Sequence, residues 1–121
     1  MAVTNMNFAM IYVDDLKPNQ EFYEKYLGFV QEQEFRPGEI FGKLGNIDCW
    51  IGSGFEKANT SEKSTRASVM LGVDSVGKLH SELKEDGQKV IQDEPVEMQE
   101  GVYWLQFADP SGNIVEVLGA K

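Results

Sequence analysis

Apolar and polar positions follow one another in the same order in both halves of the chain. In the first half, an apolar run at 7–13 predicts a strand, and apolar residues at helical spacing over 17–27 predict an amphipathic helix. Gly28 suits the left-handed position that ends such a helix. Three more strands are predicted after it, at 29–35, 39–44 and 47–53. The first half therefore has the order βαβββ.

The second half repeats this order. A strand is predicted at 67–73, and a helix at 76–86 that ends before Gly87. The three following strands are predicted at 89–92, 102–108 and 114–118, with the acidic stretch 93–100 as a solvated loop between the first two. We therefore expect an α+β fold with antiparallel-rich sheets.

Short segments recur at nearly constant spacing and indicate an internal repeat. Residues 10–14, MIYVD, return 60 positions later as MLGVD at 70–74, and Gly-Asn-Ile at 45–47 returns 67 positions later at 112–114. We place the two copies at 5–53 and 66–119, joined by a polar linker at 54–65. The length of 121 residues suits a single domain, 1–121, that contains both copies.

The charge balance narrows the classes of partner. The chain has 11 Lys and Arg against 20 Asp and Glu, a net charge of −9. A surface this negative repels phosphate backbones and anionic lipids, so we expect neither nucleic acid nor membrane as a partner. The sequence shows no apolar run near the roughly 20 residues that span a bilayer, no secretory leader, and a single Cys49. A cytoplasmic location is the expectation.

Two motifs resemble a known family. Residues 22–29 read FYEKYLGF and residues 107–117 read FADPSGNIVEV. Both are similar to motifs of the vicinal oxygen chelate superfamily, which includes glyoxalase I, bleomycin-resistance proteins, fosfomycin-resistance enzymes and extradiol dioxygenases. The resemblance implies two βαβββ modules whose curved mixed sheets form a cup. It also implies a homodimer that completes the cup.

The same resemblance implies where a metal would be bound. Metal-dependent members carry ligands, commonly His or Glu, on the first and last strands of each module, and these positions map here to Phe8, Cys49, Ser68 and Glu116. A phenyl ring cannot ligate and a hydroxyl is a weak donor, which leaves fewer than the usual three protein ligands. We therefore expect no metal and no other cofactor, unless the ligand positions are misassigned. His80, the only histidine, is expected as a partly exposed helix residue.

Strand alternation extends these positions to a candidate binding face, because every second residue of a strand points the same way. Alternation places six candidate ligand-binding residues on this face, Phe8, Met10, Cys49, Ser68, Met70 and Glu116. Trp50 and Trp104 are added to the candidates as aromatic surface, and the sequence leaves open which face each of them takes. Flat aromatic rings beside one carboxylate suit a hydrophobic or cationic small molecule.

Three functions fit this pattern. The first is a metal-free binding protein resembling the bleomycin-resistance branch, which sequesters its ligand in a dimeric cup without converting it. The second is a divergent lyase, isomerase or dioxygenase that uses Glu116 as a metal ligand, or as a base whose pKa an apolar pocket raises. The third is a regulatory or interaction module whose cup binds nothing. Whether Glu116 contacts a ligand or is satisfied by neighbouring groups is left open by the sequence.

Overall fold

A computed structural model describes residues 1–55 and 68–121 and contains two compact units, Met1–Ala58 and Asn59–Lys121. From residue 56 onward, the linker predicted at 54–65 lies outside the described residues. None of the helices in the described part is both long and apolar enough to cross a bilayer.

The first unit is a four-stranded mixed sheet with one helix. Its elements are β1 (Ala9–Tyr12), α1 (Leu16–Leu27), β2 (Val30–Glu34), β3 (Glu39–Leu44) and β4 (Ile47–Gly52). The strand order is β1-β4-β3-β2, in which β1 runs parallel to β4 and the other pairs are antiparallel. Gly28 ends α1 at φ 68° and donates its N–H to the carbonyl of Tyr23.

The second unit repeats that topology. Its elements are β5 (Met70–Ser75), α2 (Val76–Glu85), β6 (Val96–Gln99), β7 (Val102–Ala108) and β8 (Ile114–Ala120). The order is β5-β8-β7-β6, again with the first and last strands parallel. Ser75 caps α2, because its hydroxyl accepts the backbone N–H of Lys78 at 3.1 Å. The predicted α+β fold of two βαβββ modules is confirmed.

One predicted strand of the second unit is wrong. Residues 89–92 form only an isolated bridge, between Val90 and Phe107, and the strand is β6, inside the acidic stretch that was expected to be a loop. The four residues of β6, Val96 to Gln99, alternate between apolar and polar, but all four are exposed. The segment is held as a strand by its antiparallel pairing with β7 and not by burial of an apolar face.

Each sheet has one buried face, which forms the core of its unit with the helix of that unit. The core residues of the first unit include Phe22, Tyr23, Phe29, Ile40, Cys49 and Ile51. Those of the second include Val76, Leu79, Leu83, Leu105, Phe107 and Val117. We call the opposite side of each sheet its open face.

His80 belongs to the core, contrary to the expected partial exposure. Its side chain is 7% exposed, and Nε2 lies 2.8 Å from the carbonyl oxygen of Asp93. Because a carbonyl only accepts, Nε2 is the protonated nitrogen of this hydrogen bond. His80 thus ties α2 to the segment that leads into β6.

Two leucines on neighbouring strands test which face is buried. Leu105 is fully buried, whereas Leu118 is partly exposed on the open face. Leu105→Ala should lower the free energy of unfolding by about 2–5 kcal/mol, because it leaves a cavity in the core. Leu118→Ala, the matched control, should cost less than about 1 kcal/mol in the same denaturant titration. Equal losses would contradict the assigned faces.

Candidate functional site

Strand register determines which side chains share the open face of the second unit. Met70 lies opposite Glu116 on the parallel strand, and Gln106 lies opposite Glu116 on the antiparallel strand. Trp104, two residues before Gln106, lies opposite Leu118. Opposed residues point to the same side of a sheet, so all five side chains belong to this face. We call it the Glu116 face.

The carboxylate of Glu116 is held by three hydrogen-bond donors. Its Oε1 accepts the indole N–H of Trp104 at 3.0 Å and the amide N–H of Gln106 at 3.1 Å. The hydroxyl of Ser68, just before β5, donates a third hydrogen bond.

These donors lower the pKa of Glu116. The Ser68 hydrogen bond is the largest cause that lowers the pKa of the carboxyl, and the bonds from Trp104 and Gln106 act in the same direction against a partial desolvation. The pKa of Glu116 is therefore lower than that of an ordinary glutamate, and its carboxylate is ionised at neutral pH. The expectation that an apolar pocket raises this pKa is wrong.

A second glutamine orients the first. The Nε2 of Gln92 donates to Oε1 of Gln106 at 2.8 Å, while Oε1 of Gln92 accepts the backbone N–H of Gln106 at 2.7 Å. Because the side-chain oxygen of Gln106 is engaged in this way, its NH₂ group points to Glu116. Neither glutamine was predicted from the sequence, although alternation along β7 places Gln106 on the same face as the candidate Trp104.

In the first unit, the register moves one predicted residue to the other face. Met10 lies opposite Trp50, whereas Cys49 lies opposite Ala9 and is completely buried in the core. The placement of Cys49 on the binding face is therefore wrong, and burial raises the pKa of its thiol to about 11. When the last strands of the two units are matched by their pairing with the first strands, Trp50 is the counterpart of Glu116.

The error came from matching the Gly-Asn-Ile segments, which recur at an offset of 67. Pairing with the first strands instead matches Trp50 with Glu116, an offset of 66, because Met10 lies opposite Trp50 and Met70 lies opposite Glu116. The match between the segments therefore shifts the last strand by one residue. A shift of one residue exchanges the two faces of a strand.

The open face of the first unit is aromatic. Phe8 contacts Phe41, with ring centroids 5.3 Å apart, and Tyr12 contacts Trp50 at 5.1 Å. Met10 is exposed on the same face. The structure thus groups Phe8, Met10 and Trp50 in one unit, and Ser68, Met70, Trp104 and Glu116 in the other.

Trp50 is satisfied within the chain. It is 3% exposed, and its indole N–H donates to Oε1 of Glu39 at 3.1 Å. The other oxygen of Glu39 forms an ion pair with Nε of Arg36 at 3.2 Å. A buried carboxylate needs such partners, and here the chain itself supplies them. The cluster therefore stabilises the sheet without any group from outside the chain. Neither Glu39 nor Arg36 was predicted from the sequence.

The residues at the implied ligand positions do not fit a divalent metal. With the register corrected, these positions hold Phe8, Trp50, Ser68 and Glu116, of which one is a strong ligand. Among residues 1–55 and 68–121, no three His, Cys, Asp or Glu side chains converge in a way that could hold an ion.

Comparison with known proteins identifies the architecture. The family model of the Glyoxalase/Bleomycin resistance protein/Dioxygenase superfamily matches residues 5–117. A lactoylglutathione lyase from Agrobacterium tumefaciens is similar in structure, with 18% identity, a TM-score of 0.70, and coverage of 98% of this chain and 96% of that chain. No curated protein sequence gives a significant match.

Two further solved structures are similar. A fosfomycin resistance protein from Listeria monocytogenes, complexed with Mn(II) and a sulfate ion, has 15% identity and a TM-score of 0.75, covering 99% of this chain and 93% of that chain. An integron cassette protein from V. cholerae has 21% identity and a TM-score of 0.68, covering 100% and 98%. At these identities the structural likeness shows the fold alone.

The charge of Glu116 can be tested through Ser68. Ser68→Ala should raise the pKa of Glu116 toward 4.5, because it removes the largest stabilising hydrogen bond, and a carboxyl-detected NMR titration measures the change. A lowered pKa stabilises the fold above pH 4.5, and this stabilisation is lost as pH falls through the folded-state pKa. Wild type should therefore lose its stability advantage over Ser68→Ala below that range. An unchanged pKa in the variant would refute the assignment.

The buried position of Cys49 predicts an unreactive thiol. A pKa of about 11 leaves little thiolate at pH 8, and the side chain is inaccessible. Labelling by a coloured disulfide reagent should be at least roughly a hundredfold slower in the native protein than in denaturant. Rapid labelling of the native protein would instead place Cys49 on the open face.

Proposed function

Because this chain belongs to the Glyoxalase/Bleomycin resistance protein/Dioxygenase superfamily, we propose that it is a metal-free protein that binds a hydrophobic, cationic small molecule without converting it. The ligand occupies the Glu116 face. The observation that carries the proposal is the ionised carboxylate of Glu116, which three donors hold in place among apolar side chains.

A cation is favoured over an anion by this arrangement. The net charge of −9 and the ionised Glu116 both repel anions. An exposed ion pair alone contributes only about 0–1 kcal/mol, so the ligand needs apolar contact as well. Met70, which is 44% exposed, and the indole of Trp104 offer that contact on the same face. A cation near the indole would gain a further cation–π attraction.

Binding without conversion is supported by the chemistry of the same groups. A carboxylate whose pKa is lowered is a weak base, and its donors resist the uptake of a proton. The thiol of Cys49 is buried and protonated, and His80 is buried against a backbone carbonyl. These are poor starting points for a nucleophile or a general base.

The competing hypothesis is a metal-dependent enzyme in which Glu116 is a ligand. The Mn(II) in the Listeria fosfomycin resistance structure favours it, because that protein shares the fold. It requires at least two further protein ligands, whereas Phe8, Trp50 and Ser68 occupy the positions that the resemblance implies.

The homodimer and the cytoplasmic location remain predictions. Light scattering on the purified protein would test the homodimer.

A ligand screen tests the proposed function. Apolar organic cations should raise the melting temperature, since a ligand at 100 times its Kd adds about 2.7 kcal/mol to the free energy of unfolding. Glu116→Gln should weaken the binding of any hit about tenfold or more, a loss of at least about 1.4 kcal/mol. Glu82→Gln, which removes the same charge from the exposed side of α2, is the matched control.

Metal analysis separates the two hypotheses. Under the proposal, purified protein contains far less than one divalent ion per chain, and a chelator leaves ligand binding unchanged. One bound ion per chain, together with turnover of a thiohemiacetal or a catechol, would establish the enzyme instead.

A further inference from the structure

The two units contain the same tryptophan–glutamate hydrogen bond with the two residues exchanged between strands. In the first unit, Trp50 on the last strand donates to Glu39 on the strand before it, at 3.1 Å. In the second, Trp104 on the strand before the last donates to Glu116 on the last strand, at 3.0 Å. Both pairs are diagonal neighbours on an antiparallel ladder, because Glu39 lies opposite Gly52 and Trp104 lies opposite Leu118. The two clusters can therefore be compared group by group.

In the first unit, the carboxylate also binds a cation of the chain itself. The Oε1 of Glu39 accepts the indole N–H, and Oε2 lies 3.2 Å from Nε of Arg36. The guanidinium of Arg36 lies 4.7 Å from the ring centroid of Phe35. This cluster combines an indole-bound carboxylate, one N–H from a cation, and an aromatic surface beneath the charge.

In the part of the second unit that the structure describes, the chain supplies no such cation. Arg36 stands three residues before Glu39, and the residue three before Trp104 is Gly101. No Lys or Arg in the described ranges 1–55 and 68–121 forms an ion pair with Glu116. Its carboxylate accepts three hydrogen bonds out of about four that a carboxylate can take, which leaves about one position for a further donor.

We propose that the Glu116 face binds a protonated nitrogen base, such as an amidinium, guanidinium or protonated amine with an aromatic or apolar body, which takes the part that Arg36 takes in the first unit. This inference rests on the proposed function and adds one requirement, that the cation carries an N–H. One N–H donates to the free acceptor position of Glu116, while the body of the ligand lies against Trp104 and Met70. A quaternary ammonium leaves that acceptor position unpaired while displacing its water, which costs binding free energy.

The experiment uses three small probes and the two indole signals of the protein. Benzamidine carries the required N–H groups, benzyltrimethylammonium carries the same charge without an N–H, and benzoate carries the opposite charge. In ¹H–¹⁵N NMR spectra, Trp104→Phe assigns the indole signals. Benzamidine should shift the Trp104 indole and leave that of Trp50, which is paired with Glu39, nearly unchanged. It should bind at least tenfold more tightly than benzyltrimethylammonium, and benzoate should not bind.

Two variants test the role of Glu116. Glu116→Gln should weaken benzamidine binding tenfold or more, whereas Glu82→Gln should not. Met70→Arg places a chain cation directly opposite Glu116 and should abolish binding by filling the site, as Arg36 does beside Glu39. Ser81→Arg adds the same charge on the exposed side of α2 and should leave binding intact. Met70→Arg keeps the test valid if Glu116→Gln does not fold.

The outcomes separate the inference from the proposed function. If benzyltrimethylammonium binds as tightly as benzamidine and both depend on Glu116, the requirement for an N–H is wrong and the proposed function stands. If neither cation shifts the Trp104 indole, or if Glu116→Gln and Met70→Arg both bind normally, the inference and the proposed function fail together.

Discussion

The parallel pairing of the first and last strands is the constraint on which the rest of each unit depends. It requires a long connection, which in each unit contains the helix and two further strands, and it sets Met10 beside Trp50 in the first unit and Met70 beside Glu116 in the second. A slip of one residue would turn Glu116 into the core, where Val117 packs, and would expose the core in its place. The burial of one face of each sheet therefore determines which side chains lie on its open face.

The tryptophan–glutamate hydrogen bond occurs in both units, in two different surroundings. The Trp50–Glu39 pair is buried and closed by Arg36, so its charge is neutralised within the chain. The Trp104–Glu116 pair is supported by neutral donors, Ser68 and Gln106, which orient the carboxylate without neutralising it. Under the proposed function, stabilisation and ligand binding are thus divided between two units of the same topology.

The sequence was sufficient for the topology and for half of the candidate site. Strict alternation along β5 and β8 correctly placed Met70 and Glu116 on one face, because neither strand is interrupted between them. Cys49 was misplaced because the Gly-Asn-Ile segments match at an offset of 67, whereas pairing with the first strands matches Trp50 with Glu116 at an offset of 66. The strand β6 was missed because its alternating stretch is only four residues long and lies within an acidic, fully exposed segment.

The direction of the pKa shift of Glu116 could not be predicted from the sequence, for a different reason. Its donors come from three separate places in the chain, Ser68, Trp104 and Gln106, and Gln106 is oriented in turn by Gln92. A pKa depends on the direction of such donors in space, which residue spacing does not specify. Burial alone would have shifted the pKa the other way.

The most direct test of an ionised Glu116 that binds a cation is the affinity for benzamidine measured by calorimetry between pH 7 and pH 3, over the range in which the protein stays folded. The amidinium stays protonated throughout, so Glu116 dominates the change at the site. The account predicts constant affinity near neutral pH and progressive loss as pH falls through the lowered pKa of Glu116. Affinity that is independent of pH, or that rises as the carboxylate is protonated, would contradict it.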